Sequence, residues 1–187
     1  MNKFARTLLP FFFVALLPSQ GMASQNNQDG MIDDQYRDNG DGTITDTTTN
    51  LTWMRCLLGQ QWTGSTCAGK PAEYTFKEAT HAAVGFSYAG KSDWRMPTIE
   101  ELYSLVDCDS GQKVVFSRDR GGICRPPYQS PAINLDVFPK TPNSGVWSVS
   151  PRAEFPDASW SVGFYNGNAG GANHSFEYLV RLVRGGE

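Results

Sequence analysis

Histidine is almost missing from this 187-residue chain, which carries only His81 and His174. With so few imidazoles, acid–base or metal chemistry built on histidine has little to work with. The G-x-S-x-G, HExxH and phosphate-loop patterns that mark common catalytic and nucleotide sites are absent as well. There is no excess of basic charge: 16 Lys and Arg stand against 19 Asp and Glu. A chain of that sign has no bulk electrostatic pull toward nucleic acid or an anionic membrane. Beyond the N-terminus no long apolar run follows, and no internal repeat is evident.

The N-terminus itself holds Lys3 and Arg6, then an apolar run over residues 7–18, then Gly21 and Ala23 at two small positions. That order of charge, apolar core and small residues is that of a secretory signal peptide, cut after Ala23. The run is short for a bilayer span and Pro10 and Pro18 interrupt it, so no stable membrane insertion is expected once residues 1–23 are removed. Their loss leaves 14 basic and 19 acidic residues, a net charge of about −5. The mature chain is expected outside the cytoplasm, whether periplasmic, on the cell surface or secreted.

Four cysteines remain: Cys56, Cys67, Cys108 and Cys124. An even count in an oxidising compartment reads as two disulfides. They fall into two close pairs, Cys56 with Cys67 and Cys108 with Cys124, whose loops close at low entropic cost. Each loop is near the ~15-residue case in which a bridge contributes roughly 3 kcal/mol. Zinc is the sharper alternative, but these spacings are not the close CxxC pairs that zinc favours.

Residues 24–35 are polar, amide-rich and aperiodic, and read as a flexible lead-in to one domain over residues 36–187. The first part of that domain alternates β-prone stretches with the turn cluster Asn39, Gly40, Asp41 and Gly42, which predicts an N-terminal β-hairpin or short meander. Asp38, Asp41 and Asp46 invite a calcium reading, but their offsets fail the EF-hand pattern, and turn-forming aspartates are commoner. Thr75 with Glu78, and Thr98 with Glu101, are capping boxes that predict two helices. Residues 107–145 lose all periodicity and form a long loop region, of the kind that is functional or pinned by cross-links. Strand candidates at 146–150, 159–165 and 178–183 then predict a C-terminal antiparallel β-meander, with the Gly-rich stretch before Ser175 as a connection. Trp53, Trp94, Trp147 and Trp160 suit buried positions, and Arg95 suits a bond to nearby carbonyls or a carboxylate.

Several separated runs then share an order: 38–46 (DNGDGTITD), 51–54 (LTWM), 93–98 (DWRMPT) leading into Glu101 and Leu102, 146–148 (VWS) and 180–184 (VRLVR). In that order they resemble the Lcl C-terminal domain family, named for the terminal domain of a bacterial collagen-like adhesin, over residues 36–184. The resemblance implies an α+β, C-type-lectin-like fold, bacterial export, and a role in adhesion or ligand binding to a glycan or protein. It does not carry glycan specificity, because the sulfated-glycan binding associated with a basic surface in that family's best-known member meets an acidic chain here.

For a binding module the candidate ligand contacts are Arg118, Arg120 and Arg125, three guanidinium forks beside a disulfide, suited to carboxylate, sulfate or phosphate. The plainer reading is a solvated loop in which they pair with Asp107, Asp109 and Asp119. A structural subunit of a surface assembly is the alternative function. An enzyme of the formylglycine-generating kind shares the lectin-like fold but needs reactive cysteines, and two disulfides leave none; no catalytic residue, metal or cofactor is assigned. Intact-mass measurement on protein from its host should show loss of residues 1–23 together with four hydrogens, one per cysteine; free thiols in the exported protein would refute the disulfides.

Overall fold

The computed structural model describes residues 30–109 and 111–185; the leader expected at 1–23 and the start of the expected lead-in, 24–29, lie outside the described residues. In chain order the elements are strands β1 (Tyr36–Asp38), β2 (Thr43–Asp46), β3 (Thr52–Met54), β4 (Gln61–Trp62) and β5 (Cys67–Ala68), helices α1 (Phe76–Ala83) and α2 (Ile99–Ser104), and strands β6 (Gly145–Pro151), β7 (Ala158–Gly163), β8 (Asn168–Asn173) and β9 (Val183–Arg184). They form three antiparallel sheets: β1-β2-β3-β9, the small β4-β5 hairpin, and β6-β7-β8.

The turn residues explain the first sheet. Asp38 accepts from the Gly40 amide at 2.8 Å, Asp41 from the Thr43 amide at 3.0 Å, and Asp46 from the Thr48 amide at 2.9 Å. Each aspartate closes a tight turn with its own carboxylate, the local hydrogen bond that makes Asp a turn former. The fold also begins before Tyr36: Met31 bridges Arg37, Ile32 packs on the core, and Asp33 accepts from the Tyr36 amide at 2.7 Å. Residues 30–35 therefore pack on the domain, although only Met31 and Ile32 interrupt the polar character of their sequence. Ile32 is the one apolar side chain among them that reaches the core.

Both helices carry complete capping boxes, Thr75 with Glu78 and Thr98 with Glu101. Glu101 also takes a two-pronged bond from the Arg95 guanidinium, at 2.8 and 2.7 Å. Ile99, Leu102 and Tyr103 bury one face of α2, and Ala79 and Ala83 one face of α1. Trp53, Trp94, Trp147 and Trp160 are all buried.

The C-terminal meander differs from expectation in its third strand. It is β8, the Gly-rich stretch read as a connection, that pairs with β7 over six residues from Ala158↔Asn173 to Gly163↔Asn168. Ladder bonds need only backbone, and Ala169 and Ala172, on opposite faces of the sheet, supply the buried side chains, each to a different core cluster. Residues 178–183 instead run through the centre, bridging Tyr74, Val146 and Arg95 in turn. Their end, β9, pairs with β3 through Trp53↔Val183 and so ties the two ends of the domain together.

Inside this closure lies Arg181, fully buried. Its guanidinium donates to the carbonyls of Met54, at 2.9 Å, and Arg55, and to Thr141 Oγ1 at 2.7 Å, and it lies 4.6 Å above the Phe138 ring. Replacing it with Met keeps most of the volume but leaves these acceptors without a donor, at about 1–3 kcal/mol for each buried group left unsatisfied. Arg181→Met should therefore lose at least about 2 kcal/mol in urea unfolding; an unchanged midpoint would show that the guanidinium is dispensable.

Candidate functional site

Among the described residues, 107–144 hold no regular helix or strand, yet the first part of this segment is folded on itself. The Cys108–Cys124 disulfide closes it, and Cys56–Cys67 closes the β4–β5 hairpin. Inside the larger loop the Val114 amide donates to Ile123 O at 2.9 Å, the Arg125 amide to Gln112 O at 3.0 Å, and the Gly121 amide to Ser117 O at 2.7 Å. The result is an irregular hairpin with Arg118, Asp119 and Arg120 at its tip.

Two neighbours clamp this hairpin. On the α2 side the Tyr103 hydroxyl donates to Val114 O at 2.7 Å, and Lys113 Nζ donates to Val106 O, just past the helix, at 2.7 Å. On the sheet side the Ala169 amide donates to Gly122 O at 2.8 Å and the Cys124 amide to Asn166 O at 3.1 Å. Phe116 fills the space between the Tyr103 and Trp160 rings, with centroids 5.5 and 5.2 Å away. Glycine is required where the hairpin presses closest. A Cβ on Gly122 would stand 2.4 Å from the Tyr103 ring, and one on Gly121, whose φ is +72°, would stand 2.3 Å from Ala169 O.

The three arginines share this hairpin but not one role. Arg118 is held by α2, its Nε and Nη2 donating to Glu100 at 2.9 and 3.1 Å. The loop acids Asp107, Asp109 and Asp119 are not its partners, because the tip points across to the helix rather than back along its own chain. Arg120 and Arg125 are exposed, and among the described residues no ion pair reaches either.

Behind the hairpin lies a polar cleft of about 350 Å³, lined among others by Asp33, Tyr36, Asp107, Lys113, Asn134 and Phe138. Burial pulls the Lys113 ammonium down to about 8, against the opposing pull of Asp107. Burial, with the carboxylates of Asp46, Asp33 and Asp107, pushes the Tyr36 hydroxyl up. Asn134 donates to Asp33 Oδ2 at 3.1 Å, fastening the N-terminal segment to the loop region. No sequence pattern pointed to this cleft: Lys113 stands alone in an aperiodic stretch, and Asp33 sits in what reads as lead-in.

Of the remaining candidates, His81 is exposed on α1, whereas His174 stacks on Phe76 at 4.3 Å with Nε2 3.0 Å from Ser159 Oγ. Among the described residues no group of three or more His, Cys, Asp or Glu is placed to hold a metal ion, and no cysteine is free.

The Lys113 shift has a definite sign in stability. With a folded value of about 8 against an ordinary 10.5, the unfolded chain binds more protons within that window. Stability therefore rises with pH across it, as a buried cation is relieved of its charge. Urea unfolding of the parent and of Lys113→Met, compared across pH 8 to 10.5, should show this rise in the parent alone; parallel curves would remove Lys113 as its source.

No curated protein and no solved structure is significantly similar to the chain. A family model does match it, over residues 42–184, which take in β2, β3 and β9 of the N-terminal sheet, both helices, the disulfide-closed hairpin and the C-terminal meander. The motif order and this match agree, and the chain belongs to the Lcl C-terminal domain family, found in bacterial surface proteins.

Proposed function

We propose that this chain is an exported binding or adhesion module of C-type-lectin-like fold, without catalytic activity, whose ligand-bearing region is the disulfide-closed hairpin. The observation that carries this reading is the double clamping of that hairpin. A loop fixed by a disulfide, by α2 and by the edge of β8 has already lost its conformational freedom, so a ligand meets exposed groups whose ordering cost is already met. Arg120 and Arg125 are those groups. Arg118 is the member that holds the tip in place.

Family membership supports the surface location, and the two disulfides fit an oxidising, extracytoplasmic compartment. No described helix is long and apolar enough to cross a membrane. The absence of catalytic activity is supported by the use of all four cysteines in disulfides and by the packing of His174 against Phe76.

The mature, oxidised chain should be screened against an array of glycans and surface proteins. Arg120→Ala with Arg125→Ala should weaken retention of an anionic ligand and flatten its salt dependence, with little change in melting temperature, since both side chains are exposed. Arg118→Ala should act more weakly, because an exposed pair such as Arg118–Glu100 contributes no more than about 1 kcal/mol. Binding that ignores the double variant would move the site away from the hairpin tip.

A further inference from the structure

The chain covers nearly every outer edge of its two larger sheets with its own backbone. Residues 30–32 cover β1, through Asp38 N to Gly30 O at 2.7 Å and Ile32 N to Tyr36 O at 2.8 Å. Arg95 covers β9, exchanging two bonds of 2.9 Å with Val183. Leu179 and Pro97 cover β6, accepting from the amides of Trp147 at 3.0 Å and Val149 at 2.8 Å. Among the described residues the outer edge of β8 is covered at one point only, where Ala169 meets Gly122. There the hairpin turns away at Gly121.

In an antiparallel ladder alternate residues face outward. Because the Ala169 amide faces the hairpin, the same phase turns Gly171 and Asn173 outward. Among the described residues, nothing bonds to the amide or carbonyl of Gly171 or to the amide of Asn173. Proteins normally blunt such an edge with Lys, Pro or a bulge. β8, with the sequence NAGGAN and an unbroken register against β7, has none of these.

The open edge runs along a groove of about 470 Å³ lined by Arg152, Phe155, Asp157, Gly171 and Asn173, among others. The stem of Arg152 lies over Gly171, where a Cβ would be 3.4 Å from Arg152 Cγ, so glycine leaves room for it. Its guanidinium stacks 4.2 Å from the Trp160 ring and 5.6 Å from Phe155. Among the described residues no carboxylate lies within ion-pair distance of it. Phe155, 53% exposed, adds an apolar wall.

We propose that the outer edge of β8 is a docking site for an extended segment of a partner polypeptide, which adds a short strand at Gly171 and Asn173 and sets an acidic side chain on Arg152. The backbone groups specify an extended peptide and the unpaired guanidinium specifies its charge. Gly122 fixes where the added strand stops, since it already occupies the fourth-strand line beside Ala169. This site is separate from the hairpin tip and stands whether or not Arg120 and Arg125 bind anything.

A displayed library of random linear peptides, panned on the mature oxidised chain, should enrich sequences carrying Asp or Glu. The top peptide, synthesised and titrated by fluorescence anisotropy, should lose about tenfold or more in affinity on Arg152→Glu, and similarly when one of its own pairing amides is N-methylated. The same library panned on Arg152→Glu should enrich Lys or Arg instead. Gly171→Pro should also block binding; where it lowers the melting temperature strongly, Arg152→Glu and the methylated peptide decide the matter. The Arg120 and Arg125 variant should bind the peptide as the parent does. No enrichment, or a peptide indifferent to both Arg152→Glu and methylation, overturns the proposal. So does a concentration-dependent dimer abolished by Gly171→Pro, which would make a second copy of this chain the occupant.

Discussion

One buried cation holds this domain in shape. The Arg181 guanidinium lies at the point where the C-terminal segment passes the end of β3 and the last part of the loop region. Backbone carbonyls in irregular chain have no ladder to satisfy them and must find donors elsewhere. A planar fork with five N–H groups supplies several at once. Burial pulls its pKa down to about 9, which still leaves it a cation at neutral pH. No carboxylate lies within ion-pair distance of it among the described residues; carbonyls, a hydroxyl and the face of Phe138 offset its desolvation.

Arg55 extends the same device outward. It pairs with Asp38 in the first turn, donates to the carbonyls of Val137 and Asp136, and stacks 4.4 Å from Trp62. Between them the two arginines pin residues 136–141 to the N-terminal sheet, so the far end of the long loop region is as fixed as the end closed by Cys108–Cys124. A loop held at both ends can present side chains without ordering them first. That links a buried electrostatic feature of the fold to the binding role proposed for its surface.

The edge of β8 belongs to the same economy of structure. Gly121 and Gly122 let the hairpin approach Ala169 closely, and the turn that Gly121 makes then leaves Gly171 and Asn173 uncovered. One pair of glycines thus both seats the hairpin and ends the cover over the sheet.

What the sequence determined by itself is everything governed by neighbours along the chain. Capping boxes at Thr75 and Thr98 and the turns at Asp38 and Asp41 rest on groups within a few residues of one another, and the disulfides on cysteines close in sequence. All were readable, and the ordered motifs carried the family. Tertiary structure decided what depends on distant partners. The glycines of β8 make a strand because β7 lies beside them, a fact that no local propensity records. Arg118 meets Glu100 rather than the acids next to it because the hairpin folds toward α2, and Arg181 reaches Thr141 and, across most of the chain, Met54. The Lys113 cleft and the Arg152 groove were illegible for the same reason. Each joins single residues from separate segments, and sequence spacing carries no signal for groups that meet only when the chain closes.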